Sequence, residues 1–135
     1  MIYLDSSALL KLLLQEQETE ALRSWLSTRE HLIAVSSELA WVEVVRAMRR
    51  ADPARVPTAR ALLSGLDLVP LTTSVIEQAA EVGAVTLRSL DAIHLASALT
   101  LRPDLTAFVA YDYRLTAAAQ AAGLDVSQPG APASH

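Results

Sequence analysis

A chain of 135 residues has room for one hydrophobic core and too little for two, so a single domain is expected. Apolar residues make up 52% and charged residues 19%, which excludes disorder, and Lys11, Glu38, Glu43 and Asp91 interrupt every run that could approach the roughly 20 apolar residues of a membrane helix. A net charge of -4 points away from nucleic-acid binding through a broad basic surface, and the lack of cysteine excludes a disulfide framework, a thiolate zinc site and a catalytic thiol. No basic segment followed by a cleavable apolar one opens the chain, so it reads as soluble and cytoplasmic.

In chain order, Met1 to Leu4 is a short apolar run ending at Asp5, then Ser6, Ser7 and a helical Ala8 to Leu14 pattern: strand, turn, helix. Glu18 to Leu26 continues as a second helix. Leu32 to Val35 is a second strand, after which Ser36 or Ser37 caps a helix from Glu38 to Arg50. Asp52 and Pro53 read as cap and first-turn pair of a helix that stops at Gly65. Leu68 to Leu71 is a weaker strand, Ser74 to Val82 a helix, and Ser89 to Leu101 a helix capped by Ser89 or Asp91. Ala107 to Tyr111 is a clear strand, Thr116 to Ala122 a helix stopped by Gly123, and Leu124 to Val126 a possible last strand. The domain is expected over 1–126. Ser127 to His135, with two Pro, one Gly and no large apolar residue, is expected to be a loose tail whose removal leaves folding unchanged.

Strands alternating with helices imply an open parallel sheet covered on both faces, in which ligands bind beyond the carboxyl ends of the strands. Asp5 and Asp112 each follow a strand, where either could instead be a turn residue or helix cap. Asp91 at a helix start complements the dipole. Glu43 lies on a helix that Ala40, Trp41, Val42, Val44, Val45, Ala47 and Met48 make apolar around most of its circumference, so its carboxylate needs a partner, either Arg46 or a cation. His94, one turn after Asp91, reads as a hydrogen-bonded packing residue. The histidines, His31, His94 and His135, have no metal-ligand spacing. Carboxylates without Cys or paired His suit hard cations such as Mg²⁺ or Mn²⁺, and a pair of these can cleave a phosphodiester. No Gly-rich phosphate loop, nucleophile elbow or serine triad is visible.

MIYLDSSALLKL, SSELAWVEVVRAMRR, LRSLDAIHLASAL and VAYDYRLTAAAQAAGLDV, in that order and spacing, closely resemble the PIN-domain ribonucleases, in particular the VapC toxins of toxin and antitoxin pairs. The resemblance runs to about Val126 and is most specific at DAIHLA and YDYRL. It implies a three-layer α/β/α fold with a central parallel sheet, an acidic pocket binding Mg²⁺ or Mn²⁺ and endonucleolytic cleavage of RNA. Carried across by position, the family's acids fall on Asp5, Glu43, Asp91 and Asp112, and Ser7 matches a small hydroxyl residue supporting the first Asp, although alone it reads equally as a helix cap. The resemblance also implies a homodimer and a VapB-like antitoxin whose tail fills the pocket.

Arg46, Arg49, Arg50, Arg88 and Arg114 are either an RNA path or solvated surface charges. Rival readings are a PIN-like protein that binds RNA or a partner without cutting, a nuclease acting on DNA flaps, and a phospho-receiver, for which Lys11 is the only lysine present. Four clustered carboxylates should repel one another without a cation, so Asp112→Asn is expected to stabilise the metal-free chain.

Overall fold

The computed structural model describes residues 1–132; the end of the expected tail, with His135, lies outside the described residues. Strand β1 (Ile2–Leu4) is buried along its whole length. It pairs in parallel with β2 (Ala34–Ser37) on one side and β4 (Ala107–Val109) on the other, with Tyr3 opposite both Val35 and Phe108. Strands β3 (Asp67–Val69) and β5 (Val126–Ser127) complete a parallel sheet of order β3-β2-β1-β4-β5.

The twofold alternation of a strand sends successive side chains to opposite faces. Ile2, Leu4 and Val109 join one core with α1 (Ser6–Leu13), α2 (Thr19–Ser27), α3 (Glu38–Ala51) and α4 (Val56–Ser64). Tyr3, Val35 and Phe108 join the other with α6 (Ser89–Leu99) and α7 (Tyr113–Ala121), and α5 (Thr73–Glu81) packs on α6. This is the three-layer α/β/α fold, helices covering both faces of a parallel sheet.

Helix starts decide where the acids sit. Asp5 caps α1 by accepting from the Ala8 N–H, Ser37 caps α3 through the Leu39 N–H, and Asp112 caps α7 through the N–H groups of Arg114 and Leu115. Because Asp112 is that cap, α7 begins at Tyr113, three residues before the Thr116 expected from sequence, and β4 ends at Val109. Helix α6 follows Arg88 in extended conformation and has no side-chain cap, so neither Ser89 nor Asp91 serves as one. Asp52 likewise caps nothing with its side chain: Pro53–Arg55 forms a short 3-10 turn before α4.

The chain lays β2 and then β3 to one side of β1 before returning to place β4 on the other. The connections therefore diverge at the carboxyl ends of β1 and β4, where the Asp5 N–H still reaches the Val109 carbonyl at 3.1 Å. Such a divergence opens a crevice in doubly wound sheets.

The stretch after Val126 differs from the loose tail expected. Ser127 pairs opposite Val109 in β5, the Tyr111 hydroxyl donates to the Pro129 carbonyl at 2.8 Å, and Gly130, at φ 84, lies so close to α2 that a Cβ there would come within 2.8 Å of the Ala21 Cβ. Polar composition concealed this, because the contacts use backbone and a glycine rather than large apolar side chains. Ending the chain at Val126 is accordingly expected to lower the melting temperature by a few degrees, the worth of about one partly buried hydrogen bond with its packing, as measured by calorimetry. An unchanged melting temperature would show these contacts to be energetically idle.

Candidate active site

Asp5 emerges from β1 and is 4% exposed. Its Oδ1 accepts from the Ser7 hydroxyl at 2.6 Å and the Ala8 N–H at 2.9 Å. Ser7 Oγ in turn accepts from the Tyr111 N–H at 3.1 Å, tying Asp5 to the segment that follows β4. Ser7 therefore supports Asp5 from inside α1, and the cap is Asp5 itself. Burial pushes the Asp5 carboxyl above its ordinary range; His94, Ser7 and the Ala8 N–H pull it back in part, and the charge of Asp91 adds to the push.

Glu43 projects from the face of α3 that meets α1 and α6. Of the two partners weighed from sequence, Arg46 is not the one used: Glu43 Oε1 accepts from the Ser6 hydroxyl and from His94 Nε2, both at 2.7 Å. Arg46, Arg49 and Arg50 line a separate shallow depression. His94 is buried, and the Tyr3 hydroxyl reaches its Nδ1 at 2.7 Å. Burial holds Tyr3 well above its ordinary pKa, so it stays neutral. With the Tyr3 hydroxyl on Nδ1 and the Glu43 carboxylate on Nε2, both ring nitrogens of His94 are partnered, a chain in which every member is satisfied. Burial pushes the Glu43 carboxyl up, but the hydrogen bonds of His94 and Ser6, with the charges of His94 and Arg88, outweigh it and hold the group below its ordinary value, hence ionised at neutral pH.

Asp91 lies in the first turn of α6, and Asp112 follows β4. One side chain joins them: Arg88 Nε donates to Asp91 Oδ2 at 2.9 Å and its Nη2 to Asp112 Oδ2 at 3.0 Å. Hydrogen bonding to Asp91 and the charges of Asp91 and Asp112 raise the Arg88 pKa, and Glu43 contributes to the same effect. Two links are thus made near the carboxyl edge of the sheet: Asp91 to Asp112 through Arg88, and Glu43 to Ser6, the residue after Asp5.

The donors are oxygens, the chemistry a hard cation requires. Yet among the described residues no three carboxylate or imidazole side chains stand together as a ready metal cradle. Asp91 and Asp112 are turned to Arg88, and His94 is engaged on both nitrogens. The repulsion expected among four acids is therefore largely compensated at Asp112, and the stabilisation foreseen for Asp112→Asn no longer follows: that change loses an ion pair.

The PIN domain family matches residues 2–121. The chain belongs to the PIN-domain family. It is 48% identical over 134 residues to ribonuclease VapC47 of Mycobacterium tuberculosis, covering 97% of this chain and 98% of that one. It is 44% identical to ribonuclease VapC35 of the same organism, with 96% and 98% covered. Its fold is shared with a crystal structure of M. tuberculosis VapC20, described as a sarcin-ricin loop cleaving toxin, at a TM-score of 0.73, 16% identity and coverage of 96% and 100%. A structure of FitAB bound to a DNA fragment aligns at a TM-score of 0.68 and 18% identity over 100% of this chain and 99% of that one.

In this PIN domain three residues stood outside the acid set read from sequence: Ser6, His94 and Tyr3. The spacing from Asp91 to His94 was the only visible trace, because the partners of His94 come from β1, α1 and α3. Arg88 was visible merely as one of five arginines considered for an RNA path. No helix among the described residues is long and apolar enough to cross a membrane.

Proposed function

We propose that this PIN domain is the toxin of a toxin and antitoxin pair, an endoribonuclease that uses Mg²⁺ or Mn²⁺ held by Asp5, Glu43, Asp91 and Asp112 to cleave RNA in the cytoplasm. What supports the reading is that Asp5 directly follows β1 and Asp112 follows the adjacent strand β4 by three residues, where the sheet's connections diverge, while Arg88 ties Asp91 to Asp112 and Ser6, next to Asp5, binds Glu43. A hard cation bound there would supply Lewis acidity and an activated water for attack on the phosphodiester.

The chain's own residues prepare the site. Ser7 and the Ala8 N–H orient Asp5, so that one oxygen is spoken for and the group cannot swing away. Ser6 and His94 keep Glu43 ionised and aimed, with Tyr3 fixing the imidazole from behind. Second partners of this kind hold ligands in place in metal sites. The relatives' name, ribonuclease, supports RNA as the substrate. The partners are a VapB-like antitoxin, whose tail would fill the pocket, and a second copy of the chain; exposed Val42, Val85, Leu90 and Tyr113 offer apolar surface for protein contacts.

The pairing of Arg88 with two of the four acids favours one rival, a PIN-like protein that binds without cutting. An assay decides between them. The purified chain, freed of any antitoxin, is expected to cleave RNA with Mg²⁺ or Mn²⁺ and to stop in EDTA; cleavage undiminished by excess chelator overturns the metal mechanism, and RNA binding without cleavage in either metal favours the rival. Expression alone should arrest bacterial growth.

A further inference from the structure

Arg88 stands at the mouth of the acidic crevice, on the residue before α6, and its guanidinium spans Asp91 on that helix and Asp112 at the head of α7. Nε and Nη2 are the two edges of a planar fork, which suits simultaneous pairing with two carboxylates better than the point charge of a lysine. The side chain is 61% exposed, so no packing locks it there, whereas the Asp91 side chain beneath it is only 14% exposed. The two oxygens it engages belong to acids that the proposed function assigns to the cation.

We propose that Arg88 is a displaceable internal counter-ion, which closes the Asp91 and Asp112 pair in the metal-free chain and must be driven off when a divalent cation enters. This rests on the reading of the four acids as a metal site, and it accounts for the lack of a ready cradle among the described residues. Arg88 offsets part of the negative charge of the crevice in the absence of metal and sets an apparent metal affinity below what the acids alone would show. Once displaced, it stays tethered at the rim as a free cation beside the place where an RNA phosphate must arrive.

The test is calorimetric titration of the purified chain with Mn²⁺ alone, without RNA, for wild type, Arg88→Gln and Asp112→Asn. Exposed ion pairs of this kind are individually weak, so Arg88→Gln is expected to bind Mn²⁺ about two- to ten-fold more tightly, and to melt at a lower temperature than wild type when metal-free. The Nε–Hε resonance of Arg88, identified by its disappearance in Arg88→Gln, should shift as Mg²⁺ is added to wild type, saturating with the binding isotherm. If wild type binds Mn²⁺ and Asp112→Asn does not, the metal reading stands, and an unchanged or weaker affinity in Arg88→Gln, or an Nε–Hε resonance indifferent to Mg²⁺, overturns this proposal alone. If wild type and Arg88→Gln both fail to bind Mn²⁺, the metal reading falls and takes the proposal with it.

Discussion

Asp5→Asn is expected to abolish RNA cleavage and at the same time raise the melting temperature of the metal-free protein by a few degrees. Loss of a metal-holding carboxylate removes several kcal/mol of transition-state charge stabilisation, or about three orders of magnitude in rate. Stability moves the other way because Asp5 is buried and receives hydrogen bonds that asparagine Oδ1 can accept equally well from Ser7 and the Ala8 N–H. Asn is also as good a helix cap as Asp. The folded-state pKa of Asp5 is raised, chiefly by burial, so the folded chain favours the protonated carboxyl. That contribution is fully present below the unfolded pKa and is lost as pH rises through the folded one. At neutral pH the wild type therefore carries the charge at a cost that Asp5→Asn relieves, and the gap between the two melting curves should close as the pH is lowered into the acid range. Melting scans between neutral and acid pH, with a cleavage assay, check both halves; a variant less stable than wild type at neutral pH would show that the carboxylate is stabilised by its surroundings after all.

His94→Leu should slow cleavage by about 10- to 100-fold, the usual effect of removing a group that holds a metal ligand from behind. It should also destabilise the fold by about 2 to 4 kcal/mol, since the buried Tyr3 hydroxyl loses its His94 contact and the Glu43 carboxylate keeps only the Ser6 hydroxyl. Tyr3→Phe breaks only the far link of the chain and should cost about 1 kcal/mol, with a smaller effect on rate. His94→Gln, whose amide can still donate to Glu43, should recover part of the rate lost in His94→Leu. Single-turnover cleavage alongside chemical denaturation separates the two roles: a His94→Leu protein that melts early but cleaves at the wild-type rate would make His94 a packing residue and nothing more.

The fold was legible in the sequence because its signals are local. Short apolar runs at Met1 to Leu4 and Ala107 to Tyr111, alternating with helical periodicity, are enough to require a parallel sheet between helical layers, and a parallel sheet with this order of connections has its crevice beyond the strand ends. The acids there could be named for the same reason, helped by the resemblance of DAIHLA and YDYRL to the PIN domains. The boundaries were less legible. A residue such as Asp112 reads equally as the end of a strand or the cap of a helix until its side chain is seen accepting from Arg114 and Leu115.

By itself the sequence determined the layered architecture, the oxygen-only chemistry of the site and the four acids proposed to line it. Which side chains answer Glu43 and Asp112 was decided by tertiary structure alone. Glu43 is paired across 51 positions with His94 rather than with Arg46 one turn away, Asp112 across 24 with Arg88, and the stretch after Val126 is held by the hydroxyl of Tyr111. The physical reason is that periodicity reports which face of a helix is buried but not what that face meets. A charge brought into a crevice is settled by whichever donor the packing delivers within 3 Å, and packing is a property of the whole chain.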